Sequence, residues 1–200
     1  MAFTTYAELL TSIATWLHRS DLTAMIPDFV SLGEDRIYRS LRHKDMETAL
    51  DTTMVSGVVS VPSDFVQMRF AYINSSPSSS LDFVSPSVLY KKFGDRSSTG
   101  FPRVMAREGT NFIFGPAPDS DYNVKGIYYK RLDPLSTTVN AIYTSHPALW
   151  LYSSLCESAP FLQNDQRLIL WEQAFQKILS EVSMENQDYN DSGSLVMQWS

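Results

Sequence analysis

Three histidines, one cysteine and scattered carboxylates are the residues with which this chain could do chemistry. His18, His43 and His146 stand far apart and lack the short spacing that builds a metal site on one helix or turn. His18 reads as a helix-end residue near the negative end of a dipole, and His146, before Pro147, as a loop residue. Cys156 lies in an apolar helical run with no C-x-x-C partner or nearby histidine, so it reads as a small buried hydrophobe. No G-x-x-x-x-G-K-S/T, G-x-S-x-G or H-E-x-x-H pattern occurs. Glu34-Asp35 and the Asp119/Asp121 pair could in principle hold a divalent ion. Neighbouring acids are usually solvated, however, and Asp119-Ser120-Asp121 lacks the rest of an EF-hand loop. The residues therefore predict no catalytic, cofactor or metal centre, unless distant acids converge in the fold. Arg36, Arg39 and Arg42 remain ambiguous. They either pair with acids on a neighbouring chain or form a solvated face with same-helix pairs such as Asp35–Arg39.

Those arginines lie in the stretch Leu22–Arg42, which organises the chain. Leu22, Ile26, Phe29, Val30, Ile37 and Leu41 fall at helical spacing and predict one buried stripe. Asp28, Glu34, Asp35, Arg36, Arg39 and Arg42 make the expected outer face, acids earlier and arginines later, as the helix dipole favours. Thr23 is the candidate cap, which puts Pro27 in the first turn. Gly33 costs about 1 kcal/mol against Ala in a helix interior, and its use there predicts a close backbone approach. Before it, Thr5–Leu17 predicts an amphipathic helix with a capping box from Thr5 to Glu8.

Residues 43–140 change texture. Strands are expected over Glu47–Thr53, Val58–Val61, Val66–Ile73, Leu81–Val84 and Tyr122–Lys130, with a hairpin of Arg103–Arg107 and Thr110–Phe114 around Glu108-Gly109. Ser85-Pro86 opens a brief helix, and 74–80 and 94–100 are expected loops. The C-terminal third is helical again. Ala148–Ser158 is followed by a long helix capped at Asn164 or Asp165 and running to about Gln187. The expected fold is α+β: a helical bundle from the N- and C-terminal helices, an inserted small, mostly antiparallel β domain and an extended C-terminal tail. The expected segments are an N-terminal helical hairpin (1–42), a β-rich domain (43–140), helices packing on the N-terminal pair (141–188) and the tail (189–200).

With 44% hydrophobic residues the chain can build a real core, while 19% charged residues leave a surface rich in uncharged polar groups. A net charge of −6 argues against free nucleic-acid binding, which needs a basic patch, but an acidic wall lets DNA slide past without sticking. The opening MAFTTYAELL has no basic region, and no apolar run reaches the ~18 residues of a membrane span. The expectation is a protein kept in the cytoplasm or in a particle assembled there, with no membrane partner. Leu195, Val196, Met197 and Trp199 would be an exposed apolar cluster in a lone chain, so the tail is expected to dock on another chain.

A set of motifs in fixed order resembles the adaptor proteins of tailed phages. Asp21-Leu22, Ile26-Pro27, Phe29-Val30, Leu32, Glu34, Arg36-Ile37, Arg39 and Leu41-Arg42 are similar to the N-terminal signature of that family. The similarity continues through Gly100-Phe101-Pro102, Gly115-Pro116-Ala117-Pro118, Tyr128-Tyr129-Lys130-Arg131-Leu132, Pro134-Leu135-Ser136 and Pro147-Ala148-Leu149-Trp150-Leu151-Tyr152. It ends with Glu157-Ser158-Ala159-Pro160-Phe161-Leu162 and Leu170-Trp171-Glu172. The resemblance implies a structural virion protein without cofactor, a homo-oligomeric ring of twelve copies in the head-to-tail connector of a short-tailed phage. Such a ring docks on the portal protein, carries the tail nozzle or a fibre protein, and conducts genomic DNA on ejection. Twelve copies of a chain at −6 would carry about −72, which would repel passing DNA. On this reading Arg36, Arg39, Arg42, Leu195, Val196, Met197 and Trp199 meet the portal or a neighbouring subunit. Lys91, Lys92, Asp95 and Arg96, with loops 74–80 and 94–100, meet the next tail layer. The rival readings are a small hydrolase or metal-dependent enzyme and, within phages, a tail-completion protein of a long-tailed particle.

Overall fold

Thr5 starts the first helix by a reciprocal exchange with Glu8. Its hydroxyl accepts the Glu8 N–H at 3.3 Å, and the Glu8 carboxylate accepts the Thr5 N–H at 3.1 Å. The computed structural model describes residues 3–19, 21–94, 97–162 and 166–191, and the chain divides into two compact units, Met1–Asp45 with Leu132–Ser200, and Met46–Arg131.

The first unit is helical. Helix α1 spans Tyr6–Leu17, buries Leu9, Ile13 and Leu17, and ends at His18 in the left-handed region, φ 54°. Helix α2 spans Ile26–Ser40 with Pro27 in its first turn. The N-cap position is Met25 rather than the expected Thr23. Met25 and Ile26 donate to the Leu22 carbonyl at 2.8 and 3.1 Å, closing turns first, so the helix begins later. At its other end the Arg42 guanidinium donates to the carbonyls of Tyr38 (2.8 Å) and Leu41 (2.7 Å), groups a helix terminus leaves orphaned.

A short helix, α4, spans Ala141–Ser145 under an Asn140 cap, following α3 of the second unit. Sequence periodicity misses it because five residues hold barely one turn. Helix α5, Pro147–Leu162, is buried nearly all round and continues past Pro160 at the loss of one backbone hydrogen bond in its last turn. Helix α6 runs from Leu168 to Asp191, with Trp171, Phe175 and Val182 buried. The expected caps Asn164 and Asp165 lie outside the described residues, as does the expected extended tail from 192 onwards.

The backbone approach expected of Gly33 occurs between α2 and α5. A Cβ there would stand 2.7 Å from Ser153 Oγ and 3.0 Å from the Ser154 nitrogen. Opposite it, Ser153 and Ser154, like Ser158 further along α5, are fully buried, with each hydroxyl donating to a carbonyl of its own helix. Small residues on both sides set the separation of the two helices.

The second unit is a sandwich with one added helix. One sheet has the order β1 (Glu47–Thr53), β10 (Asn123–Lys130), β3 (Phe65–Ile73), β4 (Ser79–Ser80), all antiparallel. The other runs β2 (Val58–Ser60), β8 (Asn111–Gly115), β7 (Val104–Glu108), β5 (Asp82–Phe83), with β5 parallel to β7. Two short strands, β6 (Thr99–Gly100) and β9 (Ala117–Pro118), pair in parallel. Leu50, Met68, Ile73 and Val124 of the first sheet meet Val59, Met105, Phe112 and Phe114 of the second in the core. Helix α3, Pro86–Phe93, lays Leu89 against Val104, Ala106 and Ile113 on the opposite face. Strands β7 and β8 are therefore covered on both sides, which explains their near-continuous apolar runs. In β10, a Cβ on Gly126 would strike the Phe70 carbonyl. Just beyond it, β3 fits an extra residue, Arg69, between the partners of Ile127 and Tyr128. The loop expected over 74–80 ends in β4, a two-residue edge strand that only its partner Tyr72–Ile73 could define.

Gly33→Val should destabilise the protein by about 2 kcal/mol or more, since α2 and α5 must part to admit the side chain. Urea unfolding followed by circular dichroism measures this. A wild-type midpoint would show that the approach is not tight.

Candidate interaction surfaces

The residues with chemical potential are engaged in structure. Glu34, expected on the outer face of α2, is 6% exposed, so that expectation is corrected. One carboxylate oxygen accepts the Leu135 N–H at 2.9 Å and the Trp150 indole N–H at 3.3 Å, donors that burial would otherwise leave without water. Asp119 accepts the Tyr122 hydroxyl at 2.6 Å in a surface turn. Among the described residues no group of three or more His, Cys, Asp or Glu could hold a metal ion.

Arg36 crosses from α2 to both C-terminal helices. It donates to Glu157 at 3.1 Å and to both Glu172 oxygens at 2.6 Å, and its guanidinium lies 4.7 Å from the centre of the Phe175 ring. Burial pushes the Glu172 carboxyl up, but the Gln176 hydrogen bond and the Arg36 charge outweigh it and hold it below its ordinary range. Cys156 lies beside this network. Burial, then the Glu172 charge, pushes its thiol up to about 12. Arg39 is exposed in the last turn of α2, and Arg42 caps that helix. Lys91 and Lys92 are exposed in the last turn of α3. Asp95, Arg96, Leu195, Val196, Met197 and Trp199 lie outside the described residues.

A second polar cluster forms where α6 passes residues 42–45. Asn186 accepts the Lys44 N–H at 2.8 Å and donates to the Arg42 carbonyl at 2.9 Å, acting on that backbone as a strand partner would. His43 is 2% exposed, and its Nδ1 accepts the Asp45 N–H at 3.3 Å, a geometry that requires an unprotonated Nδ1. Burial lowers its pKa, against the opposing pull of the Asp45 charge. Sequence reasoning missed this role, because nothing local distinguishes His43 from a loop histidine.

Among the described residues, apolar side chains are exposed on both units. In the helical unit, Trp16 is 43% exposed and stands edge-on to Tyr152 at 5.7 Å. Beside it a groove of about 500 Å³ runs between α1 and α6, floored by Tyr152, Leu170, Trp171 and Ala174. Arg167 fixes one wall by donating to the Trp16 carbonyl at 2.9 Å while lying over the Trp171 ring. Leu170 is 65% exposed. In the β unit, register places Ala49, Ile127 and Phe70 in one row across the outer face of the first sheet. Phe70 stacks on Tyr72 at 5.6 Å, and Phe70 and Ile127 remain exposed.

Two measurements check the polar clusters. Arg36→Ala strands two carboxylates in a half-buried site and should cost about 2 kcal/mol in urea unfolding, with Arg36→Lys in between because a point charge cannot serve both acids. The His43 pKa is lower folded than unfolded, so its contribution is present above pH ~6.5 and is lost as pH falls through that value towards the folded pKa. His43→Gln should therefore flatten the fall in melting temperature between pH 7.5 and 5.5, and an unchanged slope would remove His43 from the account.

Among the described residues no helix is long and apolar enough to cross a membrane. No curated protein matches the chain. The SU10 adaptor protein family matches residues 4–198. That span takes in both compact units and every motif of the adaptor resemblance. Because the match covers nearly the whole chain, the chain belongs to the SU10 adaptor protein family and is a structural protein of the phage head-to-tail connector, joining portal and tail components.

Proposed function

We propose that copies of this chain, twelve in number, close a ring beneath the portal, pass genomic DNA through its centre and receive the next tail layer on the opposite side. The family match across residues 4–198 carries this reading, because an adaptor must offer contacts to both neighbours. Heterologous contacts between identical copies close a ring when the rotation between them divides a full turn. The helical unit supplies the sides of the ring. Of its arginines, exposed Arg39 contacts the adjacent copy or the portal, while Arg36 and Arg42 hold the surface that presents it. Residues 195–199 contribute an apolar anchor. Lys91 and Lys92, with neighbouring Asp95 and Arg96 and loops 74–80 and 94–100, meet the nozzle or fibre layer. Exposed Phe70, stacked on Tyr72, and exposed Ile127 support a protein contact on the β unit, since neighbouring apolar side chains left in water mark interaction surfaces. The net charge of −6 per copy supports a channel that DNA passes without binding.

The test is electron microscopy of the purified chain, alone and mixed with the portal of the same phage. Twelve-fold rings on the portal are the expected result, and a monomer that ignores the portal overturns the reading. Phe70→Lys combined with Ile127→Glu should keep the fold and lower the melting temperature by only a few degrees, because both side chains are about half exposed and the new cross-strand pair has opposite charges. The same pair should abolish capture of the next tail layer in the EM sample.

A further inference from the structure

We infer that the groove beside Trp16 receives the apolar segment Leu195–Trp199 of a second copy of this chain. The inference rests on the ring reading only in needing two copies side by side.

The groove is built to hold apolar side chains. Tyr152 of α5 and Leu170, Trp171 and Ala174 of α6 line it together with Trp16 of α1. Its volume of about 500 Å³ lies within the roughly 300–1,000 Å³ of sites that enclose a ligand. Arg167 holds the wall in place through the Trp16 carbonyl, so the groove exists before anything enters it. The candidate occupant is the run Leu195, Val196, Met197 and Trp199, which follows the mostly polar stretch 188–194.

Reach decides whose groove it enters. Helix α6 both lines the groove, at Leu170, Trp171 and Ala174, and carries the segment at its far end, after Asp191. At ~1.5 Å rise per residue, Asp191 lies about 30 Å along the axis from Trp171 and about 25 Å from Ala174. A fully extended chain covers at most ~3.5 Å per residue, so Leu195 reaches about 14 Å back from Asp191 and Met197 about 21 Å. Neither regains the groove of its own chain, and Trp199, at about 28 Å, regains only its near rim with no residue left for the turn. A neighbouring copy whose α6 end lies beside the groove meets no such limit. The connection is therefore heterologous, tail of one chain into groove of the next, and it propagates around a closed ring.

Two variants are mixed to test this, one carrying Leu170→Cys and the other Met197→Cys, in the presence of portal and with a short bismaleimide. Buried Cys156 stays in place, and wild-type chain serves as the control. A crosslinked band of twice the chain mass that needs both variants is the expected result. Adding Trp199→Ala to the tail variant should lower its yield about tenfold, as loss of an aromatic anchor does. The absence of a band requiring both variants overturns the inference. So does a crosslink within one chain in the doubly substituted protein. Electron microscopy of the same sample separates the failures. Rings without the band remove only this contact, whereas absence of rings removes the ring reading as well.

Discussion

The close approach of two helix backbones at Gly33 is the constraint from which the helical unit follows. Because α2 and α5 touch through glycine and serine, the neighbouring positions on α2 are carried into the interior. Glu34 then faces the Trp150 indole, and Arg36 faces the acids of α5 and α6. Each charged group is costly to bury alone, and each has partners that match its shape: two N–H donors for the carboxylate, two carboxylates and an aromatic face for the guanidinium. The approach sets the register, and the polar contacts make other registers costly.

The β unit meets the same demand by layering. Its second sheet lies between the first sheet and α3, so β7 and β8 read as continuous apolar runs, while the first sheet keeps one face in water. The outer face combines the Asp51–Lys125 pair at 3.1 Å with the row of Ala49, Ile127 and Phe70. Polar pairing and exposed aromatic surface thus lie side by side, the mixture found at contacts that form in assembly rather than in folding.

The periodic elements were legible in the sequence. The Leu9–Ile13–Leu17 spacing, the Thr5–Glu8 cap, Gly33 as a contact and the strand runs that became β3 and β10 are local signals, and each appears where local physics puts it. The roles of Glu34 and Arg36 were not legible. Their partners are Leu135, Trp150, Glu157 and Glu172, all more than a hundred residues away, and a charged residue within a helical repeat looks the same whether water or a distant helix faces it. Asn186 is hidden for the same reason, 142 residues from the Lys44 N–H it accepts, whereas for His43 it is the burial, not its local Asp45 contact, that no nearby residue announces. The two-residue strands carry too little pattern to announce themselves. The groove beside Trp16 needs three helices to exist, so no single stretch could display it.

Cys156 gives this architecture a built-in clock. Alkylation requires a thiolate, and burial both pushes this thiol up to about 12 and places it behind packed helices, so the closed bundle hardly reacts. Any labelling of this residue must pass through a state in which α5 has parted from its neighbours. The rate of that labelling therefore counts openings of the bundle. Measured on free subunits and on assembled particles, it would register how far assembly stills the breathing of a single chain.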